Sequence, residues 1–285
     1  MRSVKIVSWN MAHKRASWRY FADMDVDLAL LQETCRPPAD VAARIEIDPA
    51  PWINPGPGRR GAAWRTAIAS VSGRVKVEWL ESGLIASAVY GELAVSAPGT
   101  LTAARITPPG GNPFVAVSMC AEWESPHVAE GSRWIYADAS AHRIVSDLSV
   151  FVGRQRGHRI LAAGDLNILR GYGEHGSDYW AARYDTVFSR MQAIGLPFVG
   201  PETPYGRQAD PWPDELPRDS KTVPTFHHNR QSPGTASRQL DYVFASEGFA
   251  DLLTVRAINA PQDWGPSDHC RIAIELTEPA ASNYK

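Results

Sequence analysis

The residues of this chain that are best suited to chemistry fall in five short polar clusters, each next to an apolar, strand-like run. The clusters are Ser8-Trp9-Asn10, Leu31-Gln32-Glu33, Gly164-Asp165-Leu166-Asn167, Arg238-Gln239-Leu240-Asp241-Tyr242 and Gly265-Pro266-Ser267-Asp268-His269. Any one of them alone is better explained by a turn, a solvated strand end or a helix cap than by a site. Because the end of one antiparallel strand and the start of its neighbour share an edge of the sheet, we expect the five clusters to converge.

Together the clusters would supply oxygen ligands and one imidazole. Asp and Glu carboxylates with an Asn carbonyl, and no cluster of thiolates, form a hard oxygen site that suits Mg²⁺ or Mn²⁺. His269 can act as a general acid or base near neutral pH. Asp241 is the candidate to hydrogen-bond the second nitrogen of that ring, which would orient it and stabilise its charged form. This set is typical of the attack of water on a phosphate ester.

The stretch from Arg159 to Asn167 is expected to position the central cluster. Its apolar run reads as a strand that is covered on both faces, because such a strand need not alternate polar and apolar residues. Gly164 is expected to mark the end of this strand, where the backbone turns without a Cβ penalty. If the extended course continues briefly, Asp165 and Asn167 point the same way, since side chains alternate along a strand.

The remaining pattern predicts two runs of strands interleaved with helices. Strands are expected over residues 4–9, 28–31, 66–72, 75–80, 93–97, 101–107, 114–120, 225–227, 239–246, 252–259 and 269–276, and helices over 17–24, 37–47, 132–153 and 179–194. The strands from 66 to 120 are interpreted as an antiparallel meander. Ser17 is the predicted N-cap of the first helix and Gly153 the stop of the third. Residues 49–60 and 197–224 are expected to be loops. The pattern fits an α/β fold of two mixed sheets packed face to face with helices outside, as one domain over 1–278 with a frayed tail at 279–285.

Composition excludes several classes of protein. The chain has 285 residues, of which 44% are hydrophobic and 21% charged, as in an ordinary globular protein. No run approaches ~20 apolar residues, so no membrane span is expected. No signal peptide is recognisable, which makes a cytoplasmic protein the default, and we expect a monomer. The three cysteines, Cys35, Cys120 and Cys270, lack CxxC spacing, which argues against a disulfide framework and a dedicated zinc site. With a net charge of −2 the chain has no overall excess of positive charge for non-specific binding of nucleic acid.

In their order along the chain, the five clusters resemble the motifs of the endonuclease/exonuclease/phosphatase superfamily. That superfamily includes pancreatic-type deoxyribonucleases, abasic-site endonucleases, deadenylases, inositol-polyphosphate 5-phosphatases and neutral sphingomyelinases. The match runs from Trp9 to His269, nearly the whole chain. The resemblance implies a four-layer α/β/β/α sandwich with the site at one edge of its two sheets. It also implies a hydrolase that uses Mg²⁺ or Mn²⁺ to cleave phosphate esters.

The resemblance assigns the metal site to three residues. Glu33 would be the principal metal ligand, with Asn10 and Asp268 nearby. Some members of the superfamily carry a second Asp two residues after the Asn, whereas Ala12 stands at that position in this chain.

The resemblance also assigns the residues that act on the substrate. Asp165 would orient or deprotonate the attacking water, and Asn167 would contact the phosphate or the nucleophile. His269, held by Asp241, would act on the phosphate or as the general base. Whether Asp165 or His269 activates the water stays open at this point.

One position departs from the superfamily pattern. A His or Tyr usually follows the strand that corresponds to residues 114–120, where it contacts the phosphate or assists the leaving group, and Cys120 lies nearest to that position here. Glu122, Trp123 and His127 are alternatives that would compensate. Loss of such an acid costs ~10²–10⁴-fold in rate.

The substrate is the least specified part of this interpretation. Arg170, Tyr172, His227 and Arg238, together with Cys120, are the candidate substrate-binding residues, in a cleft rimmed by basic loops. Phosphodiesters, including DNA or RNA, are the first expectation. A phosphomonoester of a small metabolite or lipid is the alternative, and a catalytically weakened binding protein of the same fold is the second. Residues 171–176 fit Gly-x-Gly-x-x-Gly, but they do not open from a strand in a βαβ unit, so we exclude dinucleotide binding.

Overall fold

The computed structural model describes residues 2–52, 64–124, 136–152 and 158–278. Its strands are β1 (Arg2–Asn10), β2 (Leu28–Thr34), β3 (Glu46–Ile47), β4 (Arg65–Ser70), β5 (Lys76–Leu80), β6 (Ser82–Leu84), β7 (Leu93–Val95), β8 (Leu101–Thr107), β9 (Phe114–Cys120), β10 (Ile160–Asp165), β11 (Phe198–Gly200), β12 (Asp241–Ala245), β13 (Leu253–Ile258) and β14 (Arg271–Glu278). The α-helices are α1 (Arg15–Ala22), α2 (Ala39–Ala42), α3 (Ala137–Leu148) and α4 (Asp178–Ala193).

The strands form two six-stranded mixed sheets. The first sheet has the order β13-β14-β1-β2-β4-β3, and the second has the order β11-β12-β10-β9-β8-β5. One pair in each sheet is parallel, β1 with β2 and β9 with β10, while the neighbouring strands are antiparallel. Strands β6 and β7 form a separate parallel pair. The predicted pair of mixed sheets is confirmed.

Apolar side chains on both faces of the strands explain the layered packing. In β10, Leu161 and Ala163 join the core between the two sheets, whereas Ile160 and Ala162 join the core under α3 and α4. The outer face of the first sheet packs in the same way against Trp18 and other residues of α1 and α2. Helices therefore cover the outside of both sheets, which confirms the predicted four-layer sandwich.

A buried polar contact joins the two sheets beneath the edge that carries the polar clusters. Gln32 Nε2 of β2 donates to Ser118 Oγ of β9 over 3.0 Å, and Ser118 Oγ donates to the carbonyl oxygen of Leu31 over 2.8 Å. Gln32 and Ser118 are fully buried. Because a buried polar group that loses its partner costs about 1–3 kcal/mol, this contact favours one relative position of the two strands.

Several local predictions were wrong. The helix expected over 37–47 is the single turn α2, because Glu46 and Ile47 pair with β4 instead. Lys14 is the N-cap of α1, and Ser17 lies inside the helix, where its hydroxyl donates to the carbonyl oxygen of Met11. The strands from 66 to 120 do not form one meander, since β4 belongs to the first sheet and β5, β8 and β9 to the second.

Other predictions are confirmed only in part or lie beyond the described ranges. Helix α3 covers the middle of the helix expected over 132–153, and residues 132–135 and Gly153 are outside the described residues. The 197–224 loop contains the short strand β11, and Phe226 makes only isolated bridges, to Arg238 and His269. Most of the 49–60 loop, His127 and the 279–285 tail are likewise outside the described residues. No helix in the described ranges is long and apolar enough to cross a membrane.

Gly164 lies inside β10 because two strand backbones approach closely there. Its φ is +155°, and a Cβ at this position would lie 1.8 Å from the carbonyl oxygen of Met119 in β9. The requirement for glycine therefore comes mainly from the contact with the neighbouring strand, and not from a turn at the strand end as predicted.

Replacing Gly164 with Ala is expected to lower the free energy of unfolding by about 3–5 kcal/mol, because neither backbone can move away without breaking the ladder. Urea denaturation would measure this change. Gly73→Ala is the matched control, since Gly73 has φ +65° and open space around it. In this control the free energy of unfolding is expected to fall by about 1–2 kcal/mol, the cost of the left-handed backbone alone. Equal losses in the two variants would contradict the argument from the β9 contact.

Candidate active site

The polar clusters meet at one edge of the sandwich, where hydrogen bonds cross from one sheet to the other. Asn10 Nδ2, at the end of β1, donates to Asp165 Oδ2, at the end of β10, over 2.9 Å. His269 precedes β14 of the first sheet, and its Nδ1 donates to Asp241 Oδ2, at the start of β12 in the second sheet, over 2.8 Å. All four side chains are buried. The structure thus brings these four predicted residues together.

His269 is fixed on several sides. Its backbone N–H donates to Ser267 Oγ over 3.1 Å, and its carbonyl oxygen accepts a hydrogen bond from Trp9 Nε1 over 2.9 Å. The ring of Phe226 lies 4.9 Å from the imidazole, centre to centre. With Asp241 holding Nδ1, the other ring nitrogen, Nε2, points toward Asp165 and lies 3.7 Å from its Oδ2.

The electrostatics of this pair favour a charged imidazole. Burial alone lowers the pKa of His269, but the charges of Asp241 and Asp165 outweigh it and raise that pKa to about 10. Burial raises the pKa of Asp165 to about 7, with the charge of His269 opposing the shift and those of Asp241 and Glu33 adding to it. The site therefore combines a cationic donor with a carboxylate that takes up a proton more readily than a solvated one.

Glu33 is aimed at the site by a bulge in β2. Its φ is +46°, and the pairing of β2 with β4 shifts register between Leu31 and Thr34. A bulge of this kind redirects a side chain without ending the strand. Burial raises the pKa of Glu33, but a hydrogen bond from His13 and the charge of His269 outweigh it, so the pKa lies below its usual value. Glu33 is therefore held as a carboxylate.

Left-handed backbone is concentrated in this region. Among the described residues, five non-glycine residues have positive φ, and four of them lie at this edge: Ala12, His13, Glu33 and Asn167. Such conformations cost on the order of 1–3 kcal/mol each and persist where the surrounding structure enforces them. Their concentration here supports this edge as the candidate functional site.

Asp165 and Asn167 lie close together for a reason that differs from the predicted one. The extended course does not continue past β10, because Asn167 has a φ of +52°. Instead the backbone N–H of Asn167 donates to Asp165 Oδ1 over 2.8 Å, which closes a tight turn on the carboxylate. The Asn167 side chain donates to the carbonyl oxygen of Ala121 over 2.9 Å.

The donor atoms at this edge fit a divalent cation. Glu33, Cys120 and Asp165 each offer one ligand atom, and these three atoms lie within 4.8 Å of one another. Two carboxylates suit a hard cation such as Mg²⁺ or Mn²⁺. Asn10 directs its amide nitrogen to Asp165, while its oxygen accepts the N–H of Ala12 over 2.9 Å.

The other proposed metal ligand and the substrate-binding candidates are spread more widely. Asp268 Oδ1 lies 3.5 Å from Ser267 Oγ, and the charge of Asp268 adds to the raised pKa of His269. His227 is linked to the same segment, since its N–H donates to the carbonyl oxygen of Asp268 over 3.0 Å and its ring lies 5.3 Å from that of Trp264.

The remaining candidates have other partners within the protein. Arg238 is paired with Glu174, and Tyr172 is buried in the core under α3 and α4. Arg170 Nη1 lies 2.7 Å from Glu202 Oε1, and Arg170 lines a cavity of about 570 Å³ beside α4.

The sequence interpretation missed His13. Its Nε2 lies 3.1 Å from Glu33 Oε2, and its backbone N–H donates to the carbonyl oxygen of Glu33 over 2.9 Å. A histidine three residues after Asn10, in the loop that leaves a predicted ligand, was the available signal. Phe226 was also missed, since an aromatic beside a polar cluster reads as core packing.

Comparisons with known proteins identify a matching family and similar folds. The model of the Endonuclease/Exonuclease/phosphatase family matches residues 7–269. The fold is similar to the endonuclease domain of TRAS1, a telomere-specific non-LTR retrotransposon (TM-score 0.61, 17% identity, 96% of this chain and 98% of that one). It is similar to the AP endonuclease LMAP from Leishmania major (TM-score 0.63, 17% identity, 98% of this chain and 89% of that one). It is also similar to the human Nocturnin catalytic domain (TM-score 0.54, 14% identity, 96% of this chain and 93% of that one). A search of the curated proteins finds no match.

Proposed function

Because the chain belongs to the endonuclease/exonuclease/phosphatase family, a family of metal-dependent phosphoesterases, we propose that it is a phosphodiesterase of the nuclease type that uses Mg²⁺ or Mn²⁺. The observation that carries the proposal is the buried His269–Asp241 pair, whose free ring nitrogen lies 3.7 Å from Asp165. Glu33 completes the set as a carboxylate beside them. This combination serves the attack of water on phosphorus.

In this proposal each residue has a defined part. His269, held in its charged form by the two carboxylates that face it, donates from Nε2 to a phosphoryl oxygen on which charge develops. Asp165 is the proposed acceptor of the proton of the attacking water, since its Oδ2 faces Nε2 of His269 at 3.7 Å. Asn167 contacts the phosphate or the nucleophile, and Asp241 keeps the ring in position. A divalent cation held by Glu33 and Asp165, with Asn10 and Asp268 as further proposed ligands, would supply Lewis-acid stabilisation of that charge.

The proposed substrates are DNA or RNA, for reasons that lie in the relatives. The similar structures include an endonuclease domain and AP endonucleases, and a 3′–5′ exonuclease from Neisseria meningitidis. The net charge of −2 favours a short or locally bound nucleic acid over tight non-specific binding of long duplexes.

The direct test is hydrolysis of the diesters bis-p-nitrophenyl phosphate, plasmid DNA and single-stranded RNA, and of the monoester p-nitrophenyl phosphate, each with Mg²⁺, Mn²⁺ or EDTA. We expect metal-dependent cleavage of the diesters. Cleavage of p-nitrophenyl phosphate alone would replace this proposal with a phosphomonoesterase. If no ester is cleaved with any metal, the proposal is wrong and the protein is instead a binding protein of this fold.

Replacing Glu33 with Gln is expected to raise the metal concentration needed for half-maximal activity by ~10–100-fold, because the variant loses a negative ligand. A titration of activity with Mg²⁺ and with Mn²⁺ would measure this shift. Glu278→Gln is the control, because Glu278 is also ion-paired, with Arg159, but at the far end of β14. An unchanged half-maximal concentration in Glu33→Gln would remove Glu33 from the metal site.

A further inference from the structure

We propose that Cys120 is a sulfur ligand of the metal centre, so that this protein binds borderline and softer divalent cations, such as Zn²⁺ and Cd²⁺, better than Mg²⁺. The inference deepens the proposed function, on which it rests for the existence of the metal centre. It gives the departure from the superfamily pattern at Cys120 a role in the site.

The position of Cys120 is set by the sheet. It is the last residue of β9 and lies opposite Asp165 in the parallel register of β9 and β10. Its backbone N–H donates to the carbonyl oxygen of Thr100 over 2.8 Å, and the next residue, Ala121, donates to the carbonyl oxygen of Asp165 over 2.8 Å. The sulfur is therefore held at the strand edge beside the carboxylates by backbone hydrogen bonds on both sides.

The ligand atoms are close enough to share one ion. The sulfur of Cys120 and one carboxylate oxygen each of Glu33 and Asp165 lie within 4.8 Å of one another. Ligands of a tetrahedral Zn²⁺ ion stand about 2.0–2.3 Å from the metal and therefore about 3.3–3.8 Å from one another. The three side chains would have to move closer together to bind one ion.

The surroundings of the thiol suit an ion better than apolar packing. Cys120 is 2% exposed, and no hydrogen bond from the described residues reaches its sulfur. Its sulfur shares this buried edge with the carboxylates of Asp165 and Glu33. A divalent cation would offset the repulsion among these groups, and the thiol would release one proton to solvent as the metal–sulfur bond forms.

The chain also contains a cysteine that fits the ordinary explanation. Cys270 is fully buried in the core between the two sheets, and its sulfur lies 4.0 Å from the carbonyl oxygen of Pro224. It belongs to no group of ligand atoms among the described residues. Cys270 is therefore a matched control for burial of a thiol without ligation.

The donor set determines the preferred metal. Thiolates favour Zn²⁺ and softer ions, whereas Mg²⁺ requires near-octahedral oxygen ligands. Catalytic zinc sites have three protein ligands and keep a fourth position open. Glu33, Cys120 and Asp165 supply three ligands at this edge of the sandwich.

The test uses full-length protein freed of metal, in a Cys35→Ser background that removes the half-buried third thiol. Cd²⁺ is added to this protein and to its Cys120→Ser, Cys120→Ala and Cys270→Ser derivatives, and sulfur-to-metal charge-transfer absorption is recorded in the ultraviolet. Calorimetry gives the affinities for Zn²⁺ and Mg²⁺. X-ray absorption of the Zn²⁺-loaded parent protein reports a sulfur neighbour at about 2.3 Å without relying on the folding of any variant.

We expect the band in the parent protein and in Cys270→Ser, and its loss in both Cys120 variants. The Zn²⁺ affinity should fall by ~10–100-fold on loss of the sulfur, with little change for Mg²⁺. A Zn²⁺ shell without sulfur in the parent protein would overturn the inference, even if the enzyme hydrolyses diesters with Mg²⁺. A sulfur shell in a protein that cleaves no phosphate ester would support the ligand and overturn the proposed function instead.

Discussion

Replacing His269 with alanine is expected to lower the turnover of a phosphodiester by ~10²–10⁴-fold, the loss typical of a removed general acid or electrostatic donor. The reason is geometric. Nδ1 of His269 is hydrogen-bonded to Asp241, and the other ring nitrogen, Nε2, faces Asp165 at 3.7 Å. The measurement is kcat on bis-p-nitrophenyl phosphate at saturating Mg²⁺ or Mn²⁺. A loss in kcat with little change in KM would assign the interaction to the transition state.

Stability has to be separated from catalysis in this variant. Removing His269 leaves the buried carboxylate of Asp241 without its partner, which costs about 3–5 kcal/mol when a buried pair is broken. Adding Asp241→Asn to the same chain should restore much of the stability and none of the turnover. His142→Ala is the control for loss of a histidine, since His142 contacts Thr186 and Arg190 between α3 and α4. Turnover of the His269 variant within a few-fold of wild type would remove this residue from the mechanism.

Replacing Asp165 with Asn is expected to lower turnover over a similar range, ~10²–10⁴-fold, because it removes the proposed base. The side-chain amide of this variant also cannot accept both hydrogen bonds that the Asp165 carboxylate accepts. Oδ1 of Asp165 accepts the N–H of Asn167 and Oδ2 accepts the amide of Asn10, so one of these donors would face an NH₂ group. The expected result is a loss in kcat together with weaker binding of the metal.

The matched control is Asp147→Asn, which neutralises another buried carboxylate. Asp147 accepts hydrogen bonds from the backbone N–H and the hydroxyl of Ser96, beside α3. This variant should unfold more easily than wild type but keep its kcat. Wild-type turnover in Asp165→Asn would assign water activation to another group and contradict the proposed mechanism.

The sequence predicted the sheets better than the pairings within them. The run from Ile160 to Ala163 has apolar side chains on both faces, so a fully covered strand followed directly. In contrast, Glu46 and Ile47 continue a locally helical pattern and become a strand only because β4 offers them an edge. Such pairing is a tertiary effect, which local propensity does not contain.

The candidate site was predictable to the extent that its residues stand at strand ends. Asn10, Asp165, Asp241 and His269 were each beside an apolar run, and the two sheets bring them together. His13 was not predictable in this way, since it reaches Glu33 through a loop with two left-handed residues. The spacing of His13 from Asn10 suggested proximity to the site, but residue type and spacing do not encode that loop conformation.

The two halves of the site come from opposite ends of the chain. Asn10 closes the first strand, and His269 stands just before the last, where its carbonyl oxygen accepts the indole N–H of Trp9. During synthesis on the ribosome, β1 is therefore made long before β14, the strand with which it pairs. Until then one edge of β1 is open to other strands, and such edges promote aggregation. A nascent chain that ends before residue 269 lacks this imidazole, so the candidate site is assembled only after that segment has been made.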